Sequence, residues 1–227
     1  MVRNVAAPPS ASVRGLVPCS ESRKRRSRKP ADGEAGWLWL AAVMVARKYQ
    51  RSRRTLGWLN PLSMKGVNQL DHAAFVERFG PLFEHSPWVA EEAWADRPFA
   101  DADELFEALQ AAMWAAPRER QLALIRAHPD LAGKAAIEGS LTDSSRREQA
   151  AAGLDRLTPD EYHAFTRTNA AYRERFGFPL VVCAREHTKE SILRVAAERL
   201  EHTPDEEVRV ALGEIAKIAR LRLEELP

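Results

Sequence analysis

The chain has 227 residues, enough for one domain with a full hydrophobic core plus an appendage. Apolar residues make up 45% and charged residues 29%, the balance of a globular protein; two distant cysteines with no CxxC spacing argue against a disulfide framework or a cysteine zinc site. The net charge of +2 conceals an asymmetry, because residues 1–63 hold 13 of the 34 Lys and Arg but 3 of the 32 acidic residues, a net of +10 that leaves −8 for the remainder. An acidic body is a poor partner for nucleic acid, and no run of about 18 apolar residues is present to span a membrane.

Residues 1–35 are rich in Pro, Ser, Arg and Lys, with "SRKRRSRK" at Ser22–Lys29, a composition expected to stay disordered. The apolar run "GWLWLAAVMVA", Gly36 to Ala46, gives this region some likeness to a signal peptide. The basic part is too long, however, and no clean small-residue cleavage site follows. The preferred expectation is a disordered or mis-assigned extension over residues 1–63 and a folded domain over 64–227 beginning near Met64. A targeting segment and a nucleic-acid-binding arm are the alternatives.

From Leu70 onward the chain reads as helices with legible caps. Asp71 opens "DHAAFVERFG", closed by Gly80, and Ser86 with Pro87 opens "SPWVAEEAWA". Asp101 opens "DADELFEALQAAMWAA" and Pro117 opens "PRERQLALIRA". Three capping-box spacings follow, at Ser145/Glu148, Thr158/Glu161 and Thr203/Glu206. Gly177 closes the helix from Thr158 as a left-handed cap. Only "FPLVVCA", Phe178 to Ala184, reads as extended, too short to found a sheet. The expected fold is an all-α, compact bundle of about seven or eight helices.

Three residues stand out for chemistry. His128 precedes Pro129, which drives the backbone off the helix, so the imidazole sits among unpaired carbonyls at a helix C-terminus. That place favours the protonated ring and a general acid, although it also suits a simple cap. Glu148 is either the partner of Ser145 in a capping box or a carboxylate at a helix N-terminus able to meet an anion. In the last helix the apolar stripe runs Val208, Leu212, Ile215, Ala219, Arg222, Leu226, which turns Arg222 toward the core. A guanidinium there must be paired, face a pocket, or snorkel outward. The other histidines show no metal-ligand pairing and read as surface or capping residues, and Cys183 reads as a packed small hydrophobe. GxGxxG, Walker and GxSxG sequences are all absent.

Five separated motifs, "HPDLAGK" at His128, "LTDSSRREQAAAGLDRL" at Leu141, "NAAYRERFGFPLVVCA" at Asn169, "TKESIL" at Thr188 and "EIAKIARLRL" at Glu214, occur in one order. Together they resemble the 2-oxo-4-hydroxy-4-carboxy-5-ureidoimidazoline (OHCU) decarboxylases of urate breakdown, and "FGPLFEHSPWVAEEAW" at Phe79 resembles that family's N-terminal part. The resemblance covers about Asn68 to Glu225. It implies an all-α fold, a homodimer, no cofactor and no metal, and formation of (S)-allantoin in the last step from urate. Urate oxidase and hydroxyisourate hydrolase would be its pathway neighbours.

It also implies His128, Glu148 and Arg222 as catalytic residues. The substrate-binding residues it implies are Pro129, Ser145, Arg146, Arg147, Gln149, Leu180, Val181, Val182, Cys183 and Ala184. Leu180 departs slightly, since an aromatic residue or Ile is more usual there. In the implied chemistry, CO2 leaves a carbon whose electrons spread into an adjacent ring carbonyl. Arg222 would supply positive charge, Glu148 would orient or deprotonate the substrate hydroxyl, and His128 would deliver the proton. A non-catalytic helical binding module and an enzyme for a neighbouring purine-breakdown intermediate are the rival readings. The composition and the lack of an SKL-type ending point to the cytoplasm.

Overall fold

The structure is a computed structural model that describes residues 63–226. The expectations for residues 1–62, disorder, mis-assignment or targeting, lie outside the described residues.

Ten α-helices and three short 3₁₀ turns make up the described fold, with no strand among them. The α-helices are α1 (Met64–Gln69), α2 (His72–Phe79), α3 (Trp88–Ala93), α4 (Ala102–Ala115), α5 (Arg118–Arg126), α6 (Lys134–Ile137), α7 (Asp143–Ala151), α8 (Pro159–Phe176), α9 (Lys189–Arg199) and α10 (Pro204–Glu224). The all-α expectation holds. The count exceeds seven or eight because α1 and α6, of six and four residues, are too short to leave a periodic apolar pattern.

Most helix starts follow from their caps. The Asp71 and Asp101 carboxylates accept from the amides of Ala74 and Glu104, each at 2.8 Å. Thr158 and Thr203 form reciprocal capping boxes with Glu161 and Glu206. Gly177 ends α8 with φ +74°, a conformation that costs glycine little.

Two expected caps are corrected. Ser86 is buried, and its side chain makes no cap bond; Pro87 occupies the N-cap of α3. Ser145 and Glu148 do not form a capping box. The N-cap of α7 is Thr142, whose hydroxyl accepts from the Ser145 amide at 3.3 Å. Ser145 therefore lies inside the first turn, and Glu148 is released from capping.

The core runs through Phe75 and Phe79 of α2, Leu105, Leu109 and Met113 of α4, Ile125 of α5, and Phe165 and Tyr172 of α8. Helix α10 packs against α4 and α5. Its buried stripe of Val208, Leu212, Ile215 and Ala219 continues into Arg222 as the spacing predicts. The segment Leu180–Cys183 is irregular and buried, neither helix nor strand, and side chains satisfy two of its backbone groups. The Val181 carbonyl accepts from Arg199 at 2.8 Å, and the Cys183 amide donates to Glu214 at 2.8 Å. Arg199 is itself held by the buried carboxylate of Glu207, which also takes the Tyr172 hydroxyl and His202.

Candidate active site

Helix α5 carries His128 to its place. Pro129 stops the helix, Ala127 is the C-cap, and the His128 amide donates to the Ile125 carbonyl at 3.2 Å. The ring turns back so that Nδ1 lies 2.9 Å from the Leu124 carbonyl. A carbonyl only accepts, so Nδ1 carries the hydrogen, and in the neutral ring Nε2 is left with its lone pair. His128 is 7% exposed. Burial is the largest influence on its acidity, and it lowers the pKa below the usual histidine range despite the Leu124 carbonyl and nearby carboxylates. The sequence expectation of a ring biased toward imidazolium is thereby reversed, because desolvation outweighs the helix-end field.

The loop beyond Pro129 is tied down from two sides. Asp130 takes the Arg173 guanidinium at 3.0 Å, and Asn169 donates to the Leu131 carbonyl at 2.9 Å. Ala132 has φ +51° and gives its amide to Gln149 Oε1 at 2.9 Å. A non-glycine residue in that region is strained, and Gln149 is one of the groups that hold it there.

Helix α7 contributes Ser145, Glu148 and Gln149, which share a face because they are three and four positions apart. From α10 comes Arg222, 7% exposed. Its Nε and Nη2 make a two-pronged bond to Glu148 at 2.7 and 2.8 Å. Nη2 also reaches Ser145 Oγ at 3.3 Å, and Nη1 reaches Glu84 at 3.1 Å. Burial alone would lower the Arg222 pKa; Glu148 and Glu84 outweigh it and leave it raised. The guanidinium is permanently charged and already paired with two carboxylates. It is thus not a free cation awaiting an anion.

One cleft is lined by His128, Pro129, Ser145, Glu148, Gln149 and Arg222, with Leu180, Val181, Val182 and Ala184 completing the wall. Three other expected site residues are placed elsewhere. Arg146 pairs with Asp143 and borders a separate, larger hollow near Leu154 and Tyr162, Arg147 is exposed, and Cys183 is buried with its amide engaged by Glu214. Burial pushes the Cys183 thiol up to about 12, so it is no nucleophile.

Sequence reasoning missed Leu131 and Ile218, which also line the cleft, and Glu84, which bonds to its walls. Glu84 follows the 3₁₀ turn Gly80–Leu82 and is 4% exposed. The signal available for it was a lone carboxylate directly after the apolar residues Leu82 and Phe83.

A sequence model of the OHCU decarboxylase family matches residues 68–224. A Haloferax volcanii protein named 2-oxo-4-hydroxy-4-carboxy-5-ureidoimidazoline decarboxylase is 45% identical over 167 residues, covering 74% of this chain and 97% of that protein. A Mus musculus protein of the same name is 42% identical, covering 73% of this chain and 93% of its own. Among solved structures, a crystal structure of (S)-allantoin synthase superposes with a TM-score of 0.57 at 30% identity, covering 71% of this chain and 53% of the other.

Proposed function

The chain belongs to the OHCU decarboxylase family, and from that premise we propose that the cleft at His128 is where 2-oxo-4-hydroxy-4-carboxy-5-ureidoimidazoline loses CO2 to give (S)-allantoin. The activity is that of a carboxy-lyase in the breakdown of urate. The observation that carries the placement is the fixed tautomer of His128, whose unprotonated Nε2 stands in a buried cleft beside the Glu148–Arg222 pair.

The substrate carries hydroxyl and carboxylate on one ring carbon and the ureido group on its neighbour. When the C–CO2 bond breaks, its electron pair moves toward the ring C=N at the ureido-bearing carbon, rather than into a carbonyl as the sequence reading supposed. The enol that results becomes the ring carbonyl of allantoin by losing its O–H proton, and the ureido-bearing carbon gains a proton. One further proton is taken up to balance the lost carboxylate charge.

A neutral Nε2 suits the first half of that exchange. His128 accepts the hydroxyl proton and then, as imidazolium, returns a proton to one face of the ring, which fixes the S configuration. Glu148 is held by Arg222 so that its remaining lone pairs accept from substrate N–H groups and orient the ring. Arg222 acts through Glu148, because its donors are committed to Glu148, Glu84 and Ser145. Backbone N–H groups of the Leu180–Ala184 segment other than that of Cys183 donate to the ureido and ring oxygens. The working form is a cytoplasmic homodimer that receives its substrate from urate oxidase and hydroxyisourate hydrolase.

The test generates the substrate in situ with those two enzymes and follows (S)-allantoin by circular dichroism. Acceleration by the wild-type chain and its loss in His128→Asn is the expected result. An unchanged racemic decay in the presence of folded protein overturns the reading.

A further inference from the structure

Glu84 has no part in the scheme just given, yet it is among the most thoroughly engaged carboxylates in the described fold. One oxygen accepts from the Thr142 hydroxyl at 2.9 Å. The other accepts from Ser145 Oγ at 3.0 Å and from Arg222 Nη1 at 3.1 Å. Its side chain is 3% exposed. A lone buried carboxylate is costly, so a group retained here must be matched by the charges around it. Burial would raise its pKa, but Arg222, the two hydroxyls and the field of His128 more than offset this, and it stays ionised below the usual carboxylate value.

The backbone supports the same placement. His85, the next residue, has φ +46°, and it and Ala132 are the non-glycine residues with positive φ among the described residues. Both adjoin loops that build the cleft, and such outliers persist where their surroundings hold them. The strained turn aims Glu84 inward, while the His85 side chain stays 71% exposed.

Charge counting shows what Glu84 contributes. Arg222 brings one positive charge, Glu148 and Glu84 one negative charge each, so the buried triad carries net −1 next to a neutral His128. The charged groups that His128 faces are these three: Glu84 from the turn before α3, Glu148 from α7 and Arg222 from α10. Without Glu84, Arg222 and Glu148 cancel, and the protein offers no net negative charge to an imidazolium formed in mid-reaction.

We propose that Glu84 is a positioning residue of the decarboxylase site: it clamps Arg222 from the side away from Glu148 and supplies the negative charge that His128 faces while it holds the proton. The same carboxylate fastens the start of α7, through Thr142 and Ser145, to α10. This proposal rests on the decarboxylase reading for its catalytic meaning, but its electrostatic content does not depend on turnover.

Glu84→Gln is the informative variant. An amide oxygen can still accept from Ser145 and Arg222, and the amide nitrogen can donate to Thr142, whose hydroxyl turns to accept. Only the charge is removed. The first readout is the titration of the His128 ring followed by NMR, with the resonance assigned from its absence in His128→Asn. The second is the pH profile of OHCU turnover. Glu84→Gln is expected to lower the His128 midpoint by about half a pH unit or more. The acidic limb of kcat/KM should move down with it, and kcat should fall about 3–10-fold with KM little changed. Glu84→Asp, which keeps the charge, is expected to restore the midpoint toward wild type.

A folded Glu84→Gln protein with the wild-type His128 midpoint overturns the proposal, as does a Glu84→Asp protein that shifts it equally. If wild type does not turn over OHCU but the midpoint shifts as stated, the decarboxylase reading fails while the charge coupling stands.

Discussion

His128 concentrates the chemistry of the site in one side chain. Its Nδ1 bond to Leu124 fixes which nitrogen faces the cleft, so replacing the ring removes proton transfer while leaving the helix end intact. His128→Asn is expected to lower kcat by about 10²–10⁴-fold, with melting temperature nearly unchanged, measured as (S)-allantoin ellipticity beside a thermal scan. The depressed pKa also fixes the sign of a stability effect. Between the folded and unfolded midpoints the unfolded chain binds the proton and the folded chain does not, so stability rises with pH. His128's contribution is full above about pH 6.5 and is lost as pH falls from there through the lower folded midpoint. Wild type should therefore destabilise more steeply than His128→Asn below pH 6.5, by up to about 1.4 kcal/mol per pH unit. At this scale the sequence was legible where a residue type broke its own pattern: a histidine before a proline, an arginine in an apolar stripe. Glu84 was not, because its partners Thr142 and Arg222 are 58 and 138 positions away. Arg146 and Arg147 were drawn in by adjacency to Ser145 and Glu148, although the helix turns neighbouring residues to other faces.

Helix α7 shows how a cap can decide a site. Because Thr142 takes the N-cap, Ser145 and Glu148 fall on the inner face. Thr142→Ala is expected to cost about 0.5–2 kcal/mol from the lost cap and to lower activity as well, since its hydroxyl also steadies Glu84. Ser145→Ala leaves the cap in place but removes a buried partner of Glu84 and Arg222, so faster amide hydrogen exchange in the first turn of α7 in Thr142→Ala but not in Ser145→Ala is the expected sign that Thr142 starts the helix. The spacing S-x-x-E at Ser145 was ambiguous in sequence because Thr142 stands three residues earlier and offers an N-cap of its own, to the Ser145 amide. The irregular segment Leu180–Cys183 was recognised as non-helical, but its anchors were invisible, lying on α9 and α10. Glu214→Ala frees the Cys183 amide and is expected to raise KM several-fold with kcat nearly unchanged. Loss of kcat with KM constant would show that this segment does more than receive substrate.

Taken as a whole, the molecule draws its site from places far apart in the chain, and Arg222 is the cation they share. Arg222→Met would leave the buried carboxylate of Glu84 and the half-buried one of Glu148 without it, and the expected loss is about 3–5 kcal/mol, measured by urea unfolding at pH 7. Lowering the pH toward 4.5 should narrow the gap between variant and wild type, because protonating Glu84 relieves the variant, and below about 4.5 wild type also loses the stability of its ionised carboxylate. The all-α class and the long helices were legible from periodicity and caps. A chain beginning at Met64 is expected to match the full chain in kcat, since the residues of the cleft lie between His128 and Arg222. The separation of 138 positions between Glu84 and Arg222 has a consequence in time as well as in space. Closing so long a loop is entropically slow compared with winding individual helices. In refolding from denaturant, helical ellipticity should return first and turnover last, so competence to decarboxylate is a clock for the final docking of α10.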